Sequence, residues 1–127
     1  MSHARVVLVE SSSDARAVLR LALEHRGLEV FEADGARRGL EMARVHQPEV
    51  IVLDLEAEAA DEEDIQHDFA EAAAKNASAL VVLGKARYLG ALPTGSEVAK
   101  PYHYAPLIHK IEALAASRTL RDRRRSA

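Results

Sequence analysis

Three polar residues stand out by where they fall. Glu10 follows Val6-Val7-Leu8-Val9, Asp54 follows Val50-Ile51-Val52-Leu53, and Lys100 follows Val98-Ala99. Each closes a short apolar run, and runs of this length fit strands buried on both faces of a parallel sheet. In open α/β sheets the carboxyl ends of the strands are where ligands and chemistry collect. Two carboxylates meeting there would repel each other and hold their protons more tightly. A lysine ammonium offsets that. So does Mg²⁺, a hard cation suited to one or two carboxylates plus phosphate oxygens. A carboxylate in such a setting can act as a nucleophile and carry a phosphoryl group as an acyl phosphate. The residue types leave two readings open. In one, Asp54 is a phosphoacceptor, Glu10 helps a metal and Lys100 pairs with phosphate oxygens. In the other, Lys100 forms a structural ion pair with the two acids and no phosphate is involved.

The elements that must position these groups can be read in order. Arg5 to Val9 is a β-branched run and a first buried strand. Ser11 with Asp14 has the spacing of a capping box for the helix that follows. Ala15, Val18, Leu19, Ala22 and Leu23 recur at helical spacing, and Gly27 closes the helix. Leu28 to Ala33 alternates apolar and acidic, which predicts a half-exposed strand near a sheet edge. A second helix carries Ala36, Leu40 and Ala43 and ends before Pro48. The third strand runs from about Glu49 to Asp54. Glu56 to Asp64 contains neither glycine nor proline, so nothing there punctuates a turn. Ile65, Phe69, Ala72 and Ala73 predict a third helix ending near Asn76, and Leu80 to Leu83 a fourth buried strand. Gly90, Pro93 and Gly95 interrupt the stretch from Gly84 to Ala99, so only a reduced crossover helix fits before a short fifth strand at Val98-Ala99. A last helix carries Leu107, Ile108, Ile111, Leu114 and Ala115 on one face. Strands alternating with helices predict a doubly wound parallel sheet covered on both faces. The chain divides into one domain over residues 1–117 and a basic tail over 118–127 that is expected to fray.

Composition narrows the function classes. The chain has 127 residues, a formal net charge of −3 and no cysteine, so neither a disulfide framework nor a thiolate metal site is available. The opening residues do not read as a signal peptide, and no run approaches a membrane span; a cytoplasmic protein is the expectation. From Asp54 to Glu71 there are nine acids and no Lys or Arg. Such a run reads as a solvated helix start, where acids suit the dipole. From Arg118 onward there are five Arg and one Asp. They lack interleaved aromatics, so nucleic-acid binding is not expected of this domain. The six histidines show no compact ligand spacing. No Gly-rich phosphate loop, Ser-His-Asp set or zinc motif is present. An enzyme acting on a small molecule is not expected, since only Asp54, Glu10 and Lys100 could carry the chemistry.

Val6-Val7-Leu8-Val9-Glu10-Ser11, Val52-Leu53-Asp54-Leu55 and Lys100-Pro101-Tyr102 together resemble the three signature blocks of response-regulator receiver domains. The resemblance spans about Arg5 to Ala116. It implies a five-stranded sheet in the flavodoxin-like order 2-1-3-4-5. It also implies phosphotransfer to Asp54 from a sensor histidine kinase, and a cis Lys100-Pro101 bond. By the same resemblance Glu10, Asp54 and the Glu56 backbone carbonyl would form the Mg²⁺ site.

The departures from the family pattern point the other way. Receivers carry two acids after the first strand; here the second is Ser11, a much weaker ligand. The hydroxyl residue ending the fourth strand is replaced by Gly84, and the aromatic three residues before the lysine by Glu97. Those two groups form the family's moving parts. The Pro-Gly turn after the phosphoacceptor is replaced by Glu56-Ala57-Glu58-Ala59. The expectation is an atypical receiver that binds Mg²⁺ weakly or not at all and works as a protein-interaction module for a kinase or other signalling protein. A functional phosphoacceptor is the alternative. Pairing of two copies is open, because the face receivers commonly pair through is rebuilt around the shortened crossover.

Overall fold

The computed structural model describes residues 3–90, 92 and 96–126, with side chains described as far as residue 120. Five parallel strands form one sheet in the order β2-β1-β3-β4-β5. They are β1 (Arg5–Val9), β2 (Glu29–Ala33), β3 (Val50–Asp54), β4 (Ala79–Leu83) and β5 (Glu97–Val98). The helices are α1 (Ser13–His25), α2 (Ala36–His46), α3 (Glu63–Asn76) and α4 (Tyr104–Ser126). No helix among the described residues is long and apolar enough to cross a membrane.

The strand sequences explain the layering. Side chains alternate along a strand, so each apolar run feeds both faces of the sheet. Val7, Val9, Ile51, Leu53, Leu80 and Val82 pack under α2 and α3 with Leu40, Ile65 and Phe69. Val6, Leu8, Val50, Val52, Val81 and Leu83 pack under α1 and α4 with Leu19, Leu23, Leu107 and Ile111. All five residues of β3 and of β4 are buried. The alternating strand β2 lies at the sheet edge and is only half buried, as its acids predict. Helix α2 approaches β1 closely because Gly39 has no side chain: a Cβ there would overlap Val9 Cγ2.

Several local expectations need correction. The cap of α1 is Ser12, whose hydroxyl accepts from the Ala15 N–H at 3.3 Å, and not Ser11. Ser11 turns instead toward Asp54. The fifth strand is Glu97–Val98, one residue earlier than expected. Where a reduced crossover helix is expected, the described residues between β4 and β5 contain no helix. Pro93 and Gly95 lie outside the described residues. Buried Gln66 of α3 helps hold the crossover in place. Its amide nitrogen donates to the Ala60 carbonyl and its amide oxygen accepts from the Tyr88 N–H, each at 3.0 Å. Leu89 is buried against the same core. At the C-terminal end, α4 continues from Tyr104 to Ser126 with no break at Arg118.

The glycine-free segment after β3 turns nonetheless. Successive turns are closed by Ala57 N–H to Asp54 O, Ala60 N–H to Ala57 O and Glu62 N–H to Ala59 O. Ala59 takes φ +67, a left-handed geometry that costs a residue with a Cβ roughly 1–2 kcal/mol. The segment is braced from outside, because the Ala36 N–H at the start of α2 donates to Glu58 O at 2.8 Å.

Candidate functional site

Strand register brings the three polar residues to one rim. Val9 pairs with Leu53, Asp54 with Leu83, and Leu83 with Val98. Glu10, one residue past Val9, Asp54, the last residue of β3, and Lys100, two residues past Val98, therefore lie at the same edge of the sheet. Backbone bonds carry the sheet past its strand ends: Glu10 N–H to Ala33 O at 3.1 Å, Leu55 N–H to Leu83 O at 3.1 Å and Gly84 N–H to Val98 O at 2.8 Å. The Lys100-Pro101 bond is cis.

Asp54 is fully buried, and both of its oxygens are committed. Lys100 Nζ lies 2.5 Å from Oδ1, and the Glu56 N–H donates to the same oxygen at 3.1 Å. Ser11 donates to Oδ2 twice, from its hydroxyl at 2.8 Å and its N–H at 3.2 Å. Burial by itself would raise the pKa of this carboxyl. The Lys100 ammonium and the hydrogen bonds from Glu56 and Ser11 outweigh burial and lower it. Lys100 shows the mirror image. Burial would lower its pKa, but Asp54 and Glu56 together raise it. The Glu56 carboxylate takes a second Lys100 N–H at 3.0 Å. Both members of the central pair are thus fixed in their charged forms, which makes Asp54 a poor proton acceptor and Lys100 a poor proton donor near neutral pH.

Glu10 differs. It is buried, and one oxygen accepts from the Ser12 N–H at 3.4 Å while Oε2 has no partner. Burial first, then the Asp54 charge, raises its pKa; the Lys100 charge and the Ser12 N–H only partly offset them. Tyr102, next to the cis proline, is pushed up to about 12 by burial and then by Glu10.

Glu10, Asp54 and Lys100 therefore meet as expected. The sequence reading missed two contacts: the Ser11 hydroxyl as a donor to Asp54, and the Glu56 side chain as a second anchor of Lys100. A hydroxyl next to Glu10 and an acid two residues after Asp54 were the available signals.

A Mg²⁺ ion at this rim would need several hard oxygen donors. The buried, unpartnered Glu10 Oε2 is an oxygen suited to a hard cation. The remaining donors do not fit. Asp54 spends both oxygens on Lys100, Glu56 and Ser11, and Ser11 aims its proton at Asp54. Among the described residues, no three acidic or histidine side chains are grouped to hold one ion. As these side chains stand, they do not form a magnesium site.

Gly84 and Glu97 line one cleft beside this rim, with Leu55, Glu56, Leu83, Lys85, Ala99 and Lys100. Glu97 Oε2 accepts from the Ala86 N–H at 2.9 Å and ties β5 to the exit loop of β4.

No protein-family model matches the chain. Over 50 residues it is 46% identical to the KDP operon transcriptional regulatory protein KdpE of Escherichia coli (strain K12). That match covers 39% of this chain and 22% of the relative, so the chain spans well under a third of the curated protein it matches. Among solved structures, the signal receiver domain of a putative Luxo repressor protein from Vibrio parahaemolyticus superposes with a TM-score of 0.74 at 18% identity. The superposition covers 95% of this chain and 96% of that one. A CheY-like response regulator receiver domain protein from Methanospirillum hungatei JF-1 superposes with a TM-score of 0.71 at 15% identity, over 94% and 99% of the two chains. With its five parallel strands in the order 2-1-3-4-5 and the rim of Glu10, Asp54 and Lys100, the chain has the fold of a response-regulator receiver domain.

Proposed function

We propose that the chain is a receiver-type module of two-component signalling that acts through protein contacts, with weak or absent phosphorylation switching at Asp54. The observation that carries this reading is the saturation of Asp54. Four donors occupy its two oxygens, two of them from Ser11, at the position that would have to supply a metal ligand. A phosphoryl group would have to displace them without the hydroxyl that Gly84 lacks. A switch needs contacts that differ between its two states by several kcal/mol to move populations from one extreme to the other. No group at Gly84 or Glu97 supplies them, and the Glu97 bond to Ala86 N–H fastens the segment that would have to move. The partner on this reading is a sensor histidine kinase or another signalling protein.

A working phosphoacceptor served by a histidine kinase is the second reading. One observation favours it: the buried Glu10 Oε2 without a partner. Titration with beryllofluoride or acetyl phosphate in the presence of Mg²⁺, followed by amide NMR shifts, separates the two. The expected result is small, non-saturating change confined to the residues around Asp54. Saturable, Mg²⁺-dependent shifts running from Asp54 to α4 would overturn the first reading and establish the second.

A further inference from the structure

The cleft between the ends of β4 and β5 has a volume of about 460 Å³. That lies within the range of cavities that hold small molecules. Its apolar wall is Leu55, Leu83, Gly84 and Ala99, and its charged groups are Glu56, Lys85, Glu97 and Lys100. It is open because of two residues. Gly84 presents only backbone there, at φ +117, and Glu97 bends its carboxylate back onto the Ala86 N–H.

The polar groups offer a specific set of donors and acceptors to the cleft. A lysine ammonium has three N–H donors. Lys100 gives one to Asp54 and one to Glu56, which leaves one. Lys85 is exposed and makes no hydrogen bond or ion pair among the described residues. Glu97 and Glu56 each use Oε2 and keep Oε1. Two donors and two acceptors therefore surround an apolar wall, and the four side chains carry no net charge. A simple anion would meet the two carboxylates as well as the two ammoniums, and a simple cation would meet the reverse. A molecule carrying both charges satisfies both sets.

We propose that this cleft binds a small zwitterion with a compact apolar body, the chemistry of an apolar α-amino acid. Its carboxylate pairs with Lys85 and the remaining N–H of Lys100, its ammonium pairs with Glu97 and Glu56, and its apolar body lies on Leu55, Leu83 and Ala99. Because Lys100 also holds Asp54, an occupant reaches the buried rim through that one ammonium. The site is half open and its charges are solvated, so binding in the region of 1 mM is expected.

The test uses the full chain, ¹⁵N-labelled, with three probes of similar shape: L-leucine, 3-methylbutanoate and 3-methylbutylamine. L-leucine should give saturable amide shifts centred on residues 55–56, 83–86 and 97–100. Each singly charged analogue should bind at least about fivefold more weakly. Lys85→Met removes an exposed ammonium that the fold does not use, and should weaken L-leucine by a similar factor while leaving 3-methylbutylamine unchanged. No saturable shift with L-leucine up to about 20 mM overturns the proposal. So does 3-methylbutanoate binding as tightly as L-leucine, a Lys85→Met variant that binds L-leucine unchanged, or shifts centred away from the cleft. None of these outcomes depends on whether Asp54 accepts a phosphoryl group.

Discussion

The Ser11 hydroxyl lies 2.8 Å from Asp54 Oδ2 and donates to it. Its position in the chain is the one at which the receiver pattern carries a second acid. The substitution does more than delete a metal ligand. It puts a proton on the line between residue 11 and Asp54, where a ligand would have put a lone pair. That proton helps hold Asp54 ionised and occupied.

Ser11→Asp should therefore restore metal binding. With a second carboxylate beside Glu10 and one fewer donor on Asp54, Mg²⁺ affinity measured by calorimetry should rise at least about tenfold over the parent chain. Without metal the variant should be less stable by about 1–3 kcal/mol, since a hydrogen bond to the buried Asp54 becomes a like-charge contact. Mg²⁺ affinity unchanged in a folded variant would mean that Glu10 and Asp54 cannot share an ion.

Lys100→Met strands the fully buried Asp54 charge. Removing one partner of a buried pair costs roughly 3–5 kcal/mol, and the lower end applies here because Lys100 is 23% exposed. Asp54→Asn combined with Lys100→Met should recover most of the loss. A double-mutant cycle by urea unfolding reads the coupling directly. Losses that simply add would show that the two groups do not depend on each other.

The two acids of the rim pull stability in opposite directions with pH. Asp54 titrates below its ordinary 3.8, so its contribution is complete above that value and disappears as pH falls through the lowered pKa. Glu10 titrates above its ordinary 4.5. As pH rises past 4.5 the unfolded chain releases this proton first, so stability falls until the native group also ionises, and the full penalty remains above that point. Glu10→Gln should remove that penalty. Its stability relative to the parent should climb as pH rises above 4.5. Urea melts at a series of pH values would show a flat difference if Glu10 were not held against ionisation.

At Gly39 two effects compete. Alanine is the better helix former by about 1 kcal/mol, but its Cβ would overlap Val9 Cγ2. Overpacking of this kind costs about 1–3 kcal/mol, so Gly39→Ala should destabilise. Val9→Ala in the same chain should recover part of that loss. Thermal melts of the two single variants and the double variant decide it.

The sequence was most legible where one physical effect dominates. Runs such as Val50 to Leu53 and Leu80 to Leu83 are apolar on both faces, and only a covered parallel strand buries both. Burial order then brought Glu10, Asp54 and Lys100 to one rim, and they meet there. What stayed hidden depended on a choice between near-equivalent neighbours. Ser11 and Ser12 are the same residue type one position apart, and either could have capped α1. Which one turned to Asp54 was set by the strand end and not by propensity. Ala59 supplied a left-handed turn that composition argues against, because the Glu58 carbonyl is held by Ala36. The crossover, helix-free among the described residues, is a similar case. Its room was visibly short, but the anchoring of the loop by the buried amide of Gln66 is a tertiary contact that no local pattern encodes.

The two-residue β5 has a further consequence. Among the described residues it closes one side of the sheet with Glu97 and Val98 alone. An incoming extended chain would find only a rung or two of main-chain groups to grip, too little to zip onto. On that flank, partners must be told apart by what the side chains offer, and runaway stacking of copies through their backbones is closed off.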